Sequence, residues 1–176
     1  MVREKESGTI LQVYASSITA AEFLGGKVLS YLIISAAMAV VLILASTLFF
    51  NLGFVGDFSP FLFGLLFYLF SSVSFGTLIG TLSNTQSSAV QLVATVGFTP
   101  ALLLSGYLYP IRNITYPLSL ITIFLPTRWF VQLSRDSFVR GGGWSYDWYL
   151  PLILVAGGAS FFLLARNHMS NMQVKA

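Results

Sequence analysis

The side chains able to do chemistry in this 176-residue chain are few, and they sit at its margins. The single histidine, His168, follows Arg166 and Asn167, and the chain has no cysteine. One imidazole without a thiolate cannot build a typical zinc site, so His168 reads as a solvated residue at the edge of an apolar stretch. Gly25-Gly26-Lys27-Val28 has neither the spacing nor the hydroxyl of a phosphate-cradling loop. No H-E-x-x-H and no G-x-S-x-G occurs. Asn113-Ile114-Thr115 has the form of a glycosylation sequon, which has meaning only in a secretory context and is treated as chance. The remaining polar groups inside the apolar stretches are hydroxyls and amides, among them Ser35, Tyr68, Ser72, Thr77, Gln91 and Thr99. Such groups mostly bond to their own backbone or to a neighbouring helix. No catalytic, cofactor-binding or metal-binding residue is assigned, and the chain is not read as an enzyme.

The elements that must position these groups follow from composition. Apolar residues make up 56% of the chain and charged residues 9%, with a mean hydropathy of +0.81. A soluble domain carries about 25% charge, so a soluble enzyme and a disordered chain are both excluded. Residues 28–56, 58–111, 113–127 and 148–165 are free of charge. About 20 apolar residues are needed to cross a bilayer as a helix. The first stretch holds one span at about 28–50. The second holds two, at about 60–80 and 89–109, parted by the polar turn Thr81 to Ser88. The last span lies at about 148–165. Ser59-Pro60 has the form of a helix cap and first residue, and Asp147 that of the cap of the last span.

Between the third and fourth spans, residues 111–140 behave differently. Their apolar run is interrupted by Pro117 and stopped by Pro126, which is too short to cross. Of the eleven tryptophans and tyrosines, eight fall between Tyr107 and Tyr149, as at a membrane–water interface. This segment is read as a pair of short re-entrant or interfacial helices; the alternative, that residues 114–133 cross, would put the C-terminus on the opposite side. Four spans put both termini on one side. Five basic residues on the terminal side against four in the aromatic segment leave the orientation open.

The N-terminal segment, residues 1–26, is amphipathic. A charged lead, Val2 to Thr9, precedes Ile10, Leu11, Tyr14 and Ile18, which share one helical face. Thr19 to Glu22 has capping-box spacing, so one helix ends near Ser16-Ser17 and another starts at Thr19. The segment is either an interfacial anchor or a docking helix for a cytoplasmic partner. Gly25-Gly26 reads as a joint leading into the first span. Gly76 and Gly80 form a G-x-x-x-G that admits close helix packing, within the chain or between subunits. Pro100 should kink the third span.

Taken in order, these residues carry a resemblance. Arg3-Glu4-Lys5-Glu6-Ser7-Gly8-Thr9 is followed by Ser16 to Glu22, Gly26-Lys27, Gly76 to Gly80 and Gln86. Leu104-Ser105-Gly106-Tyr107-Leu108-Tyr109-Pro110, Pro126-Thr127-Arg128-Trp129-Phe130 and Phe138-Val139-Arg140-Gly141 come after. From Val2 to about Arg166 the set resembles the membrane subunit of type-2 ABC exporters. The resemblance implies an all-α integral membrane fold. It has about four spans, an N-terminal amphipathic cytoplasmic helix and a re-entrant external helix pair before the last span. It implies a permease subunit moving amphipathic, drug-like or lipid-like cargo by alternating access. ATP would be bound by a partner subunit and no cofactor by this chain. Arg3, Glu4, Glu6, Gly8 and Thr9 match the family's R-E-x-E-x-G-T, and the helix through Ile10, Leu11, Tyr14 and Ile18 would complete the element that docks on the ATPase. Partners would be an ABC ATP-binding subunit, a second permease copy and the lipid bilayer, with no nucleic acid. The location would be the bacterial inner membrane, with both termini, including the tail 167–176, cytoplasmic. The four arginines of the aromatic segment then lie outside, against the positive-inside trend. The chain would correspond to the C-terminal part of a permease whose family members carry two spans and an external domain ahead of it. A non-transporting membrane assembly protein or a truncated permease remnant is the alternative.

Overall fold

The computed structural model describes residues 1–10, 16 and 18–173. Among the described residues the secondary structure is helical, with no strand. After the short α1 (Val2–Glu6) come three long helices: α2 (Ala20–Phe50), α3 (Phe58–Leu82) and α4 (Gln86–Leu104). Two short helices, α5 (Leu118–Phe124) and α6 (Pro126–Arg135), precede α7 (Trp144–Asp147) and the long α8 (Tyr149–Gln173). Four helices, α2, α3, α4 and α8, are long and apolar enough to cross a membrane. The α5 and α6 helices are too short to do so, at seven and ten residues.

The expected spans are all present, and their ends differ for local reasons. Thr19 caps α2 through a reciprocal box: its hydroxyl accepts from the Glu22 N–H at 3.3 Å, and its own N–H donates to Glu22 Oε2 at 2.9 Å. From there α2 runs unbroken through Gly25 and Gly26, so the double glycine is no break in the helix. Its i→i−4 bonds and its apolar flanks carry the helix over a joint that composition alone would suggest. Ser59 does not cap α3: the helix starts at Phe58 after Asp57, and the Ser59 hydroxyl instead accepts from Trp144 Nε1 at 2.8 Å. Asp147 is not the cap of the last span either. It closes α7 and is buried, while α8 begins at Tyr149.

Where a kink is expected at Pro100, the helix is irregular in the turn that precedes it. Proline offers no N–H to the carbonyl four residues back. The turn ahead of it, Val93–Phe98, is wound as a π-helix, and Thr99 Oγ1 donates to the Ala94 carbonyl at 2.8 Å. The bulge is how the helix absorbs the missing bond. The helix then ends at Leu104, five residues short of the expected 109, and Gly106 turns the chain at φ +86°.

Packing is uneven. The α3 and α8 helices form the most extensive helix pair. Gly157 and Gly158 of α8 meet Ser71 and Phe70 of α3, so closely that a Cβ at Gly158 would lie 3.0 Å from the Ser71 Cα. Small residues permit this approach, which apolar solvent alone does not drive. By contrast α2 buries only Ala20, Leu24 and Val28, and α4 buries nothing. Their apolar side chains, such as Leu42, Leu48 and Phe49, are exposed to what would be lipid or another protein surface.

Candidate functional site

The N-terminal motif folds as a single turn of helix whose charges fasten it to the ends of the spans. Glu4 Oε1 pairs with Lys27 Nζ of α2 at 2.6 Å. Lys5 Nζ reaches across to α3, donating to the carbonyl oxygens of Thr81 and, at 3.2 Å, Ser83. Glu6 accepts from the backbone N–H of Gln86 at 2.8 Å and from its side-chain amide, at the first turn of α4. A carboxylate at a helix N-terminus satisfies an orphan donor and suits the helix dipole. Thus three successive charged residues, Glu4, Lys5 and Glu6, engage three different long helices.

Electrostatics follow the geometry. Burial pushes the Glu4 carboxyl up, but the hydrogen bonds from Lys27 and the Met1 ammonium outweigh it and hold the carboxyl below its usual range. Burial also lowers Lys5. The two donors of Gln86 lower Glu6.

The end of the motif is built by its small residues. Ser7 N–H bonds to the Arg3 carbonyl at 3.0 Å and Gly8 N–H to the Lys5 carbonyl at 3.2 Å. Gly8 sits at φ +73°, the left-handed conformation of a helix C-cap, which costs an L side chain about 1–2 kcal/mol. Thr9 Oγ1 donates to the Glu4 carbonyl at 3.3 Å. Arg3, Ser7, Gly8 and Thr9 are exposed, and Ile10 is buried. Leu11 and Tyr14 lie outside the described residues.

The remaining expected residues are spread more widely. Gly80 faces α1, where a Cβ would rest 3.8 Å from Met1 and Val2. Gly76 has open space beside it and lines two apolar grooves, both of which also include Val93 of α4. One, of about 450 Å³, lies between α2, α3 and α4 and includes Tyr31, Ser35, Met38 and Thr77. The other, of about 510 Å³, includes Tyr68, Phe75, Pro100 and Phe161. Gly25 and Gly26 also have open space beside them. The G-x-x-x-G is therefore not where α3 meets α8. That role falls to Ser71 with Gly157-Gly158, whose small-residue run in the last span was the available signal.

Sequence reasoning also missed the far end of the bundle. Leu133 of α6, fully buried, inserts where Gly64 of α3 leaves room. Phe54 stacks on Phe138 at 4.4 Å, and Tyr68 on Phe130 at 4.3 Å. The backbone N–H groups of Val55 and Gly56 donate to the Ser137 carbonyl at 3.1 and 3.0 Å. Here Asp147 is only 3% exposed, with Oδ2 lacking a partner. Burial, then the neighbouring Asp136 carboxylate, push its pKa up to about 6. Among the described residues no group of three or more potential ligands could hold a metal.

Residues 1–166 match the family described as ABC-2 family transporter protein. Relatives include the probable multidrug ABC transporter permease YbhR of Escherichia coli K12, 29% identical over 170 residues. The inner membrane transport permease YhhJ of the same organism is 28% identical over 168 residues. The ABC transporter G family member 20 of Dictyostelium discoideum is 25% identical over 157 residues. The matches cover 94%, 94% and 88% of this chain, but only 46%, 44% and 21% of those proteins. The chain spans less than half the length of the relatives it matches. No solved structure matches it significantly.

Proposed function

This chain belongs to the ABC-2 family of transporter proteins, and from that premise we propose that it forms the coupling half of an ATP-driven export permease in a bacterial inner membrane. Its own residues bind no nucleotide in this reading; hydrolysis is supplied by an ABC ATP-binding subunit that docks on α1. The observation that carries the reading is the three-way attachment of α1. Glu4 holds Lys27 of α2, Lys5 holds the last turn of α3, and Glu6 holds the first residue of α4. A push on α1 therefore reaches three spans at once.

What moves follows from the packing. The α3–α8 pair is closely packed, whereas α4 buries no side chain and carries the π-turn ahead of Pro100. Displacing α4 reshapes both grooves, because Val93 lines each, and such a change of access is how the cargo would pass. Both grooves have the size of drug-sized binding sites, about 300–1,000 Å³, and their lining suits amphipathic or lipid-like cargo. The termini lie on the cytoplasmic side, the α5–α6 pair re-enters from outside, and a second permease copy covers the apolar faces of α2 or α4. The name of one E. coli relative, a probable multidrug ABC transporter permease, supports export as the direction.

Co-purification from detergent with an ABC ATP-binding subunit tests the proposal. Arg3→Glu changes an exposed residue without touching the attachments and is expected to lose at least about tenfold in retained ATPase. Glu4→Gln is expected to retain the ATPase while ATP hydrolysis no longer responds to cargo. No retention by the unaltered chain would favour a membrane assembly protein or a permease remnant without transport.

A further inference from the structure

Four arginines that are dispersed in sequence converge at the end of the bundle opposite α1. Arg112, Arg128, Arg135 and Arg140 line one pocket of about 200 Å³, with Ser105 and Gln132. Arg112 comes from the 3-10 turn Ile111–Asn113, Arg128 and Arg135 from α6, and Arg140 from the π-turn Asp136–Arg140. Arg128 and Arg135 are seven residues apart, two helical turns, and so share a face.

Their charge is mostly uncompensated. Arg140 pairs with Asp136 at 2.9 Å, the one carboxylate at ion-pair distance from the four among the described residues, and it also attracts the more distant Asp147 carboxyl. Arg135 donates to the Gly106 and Tyr107 carbonyls at 2.8 and 3.4 Å, which orients its guanidinium without neutralising it. Arg128 donates to the Thr122 hydroxyl and lies 4.7 Å over the Trp129 ring, yet its Nε is buried with no acceptor. Arg112 is exposed and makes no hydrogen bond or ion pair among the described residues. Cations gathered this closely repel, and a buried donor without an acceptor is costly. Both features are relieved by one anion.

We propose that this pocket binds a phosphomonoester anion, carried by a lipid headgroup or by a soluble phosphorylated compound. A phosphoryl group brings close to two negative charges and three acceptor oxygens, which several guanidinium forks can share. The pocket is smaller than the roughly 300–1,000 Å³ of sites for drug-sized molecules, so it admits the charged group and not a whole amphiphile. Arg128 lies over the Trp129 ring and Arg135 donates to the Tyr107 carbonyl, so residues of the type that favours headgroup depth adjoin the pocket's arginines. The excess of arginine in this segment, anomalous as a topology signal, is then a binding feature. The site does not depend on which way the chain is inserted.

Calorimetric titration of the full chain in neutral detergent tests this, with short-chain phosphatidic acid, inorganic phosphate and short-chain phosphatidylcholine as probes. Saturable binding of phosphatidic acid or of phosphate, weakened by added salt, is expected. Arg112→Gln removes charged hydrogen bonds without touching the fold, and it should weaken binding by about tenfold or more. Arg128→Lys keeps the charge but loses Nε and the fork, with a similar weakening. Tighter binding of phosphatidic acid than of phosphate assigns the site to a lipid headgroup; equal binding assigns it to a soluble phosphorylated compound. Absence of saturable binding by both overturns the proposal. So does equal binding of phosphatidylcholine, or unchanged affinity in both variants while the protein elutes as a single species.

Discussion

The two ends of this bundle use the same kinds of charged residue in opposite ways. At one end, Glu4, Lys5 and Glu6 each have a partner on a different span, and only Arg3 of α1 points away unpaired. At the other, among the described residues, Arg112 has no hydrogen-bond or ion-pair partner, Arg128 keeps a buried donor without an acceptor, and Asp147 has an oxygen with no partner. Paired charges fix an element in place, because breaking a pair leaves its survivor poorly solvated. Unpaired charges leave a standing capacity to bind an ion or a proton. The first end is built as an attachment and the second as a receptor. The α3–α8 pair is the shaft between them.

The shaft gives the largest expected effect. Gly158→Val puts a Cβ 2.6 Å from the Phe70 ring and 3.0 Å from the Ser71 backbone, so it separates α3 from α8. A loss of about 3 kcal/mol is expected, read as a lower unfolding temperature in detergent and less monodisperse protein. Both ends should lose function together.

Acid should then divide the ends. The pKa of Asp147 is raised to about 6 by burial and by Asp136. A raised carboxyl favours its protonated form in the fold, so its contribution falls as pH rises from the ordinary carboxylate value through about 6. Asp147→Asn is expected to raise stability by roughly 2 kcal/mol above that range and to change little in acid. Glu4 has the opposite sign. Its carboxyl is held low, so its contribution is present above the ordinary value and is lost as pH falls through the folded one. Glu4→Gln should cost about 1 kcal/mol near neutrality and nothing in strong acid, since its carboxyl is partly exposed. Melting curves of the two variants across pH check both signs. If both variants responded to acid in the same direction, the contrast between the ends would fail.

The smallest effect belongs to the turn after the motif. Gly8→Ala forces a Cβ into a left-handed conformation, a strain of about 1–2 kcal/mol that opening of this exposed turn relieves locally. Global stability should barely change, while hydrogen exchange at Ser7 and Gly8 should rise.

The contrast also explains what could be read in advance. Charge-free runs locate α2, α3, α4 and α8, because bilayer thickness imposes a length on any spanning helix. The Thr19–Glu22 box is legible since both partners lie within one turn. Residues 3–9 stand out as a contiguous motif, but the motif does not reveal Lys27, Thr81 and Gln86 as the partners of Glu4, Lys5 and Glu6. Asp147 has the sequence of a cap and the position of a buried acid, a difference decided by Asp136 and Gly142 folding over it. The arginine pocket is invisible along the chain because its members arrive from three separate elements. Local hydrogen bonding and solvent preference are written in neighbouring residues; convergence is not.

Site-directed cross-linking tests the central claim, that α1 is the face presented to the ATPase. The chain has no cysteine, so a single one can be placed at will. Thr9→Cys marks the exposed end of the motif and Leu108→Cys the opposite end of the bundle. With a short thiol cross-linker and an ABC ATP-binding subunit, the Thr9 position is expected to give the permease–ATPase adduct and the Leu108 position none. An adduct formed equally from both positions, or from Leu108 alone, would contradict the assignment of α1 as the coupling element.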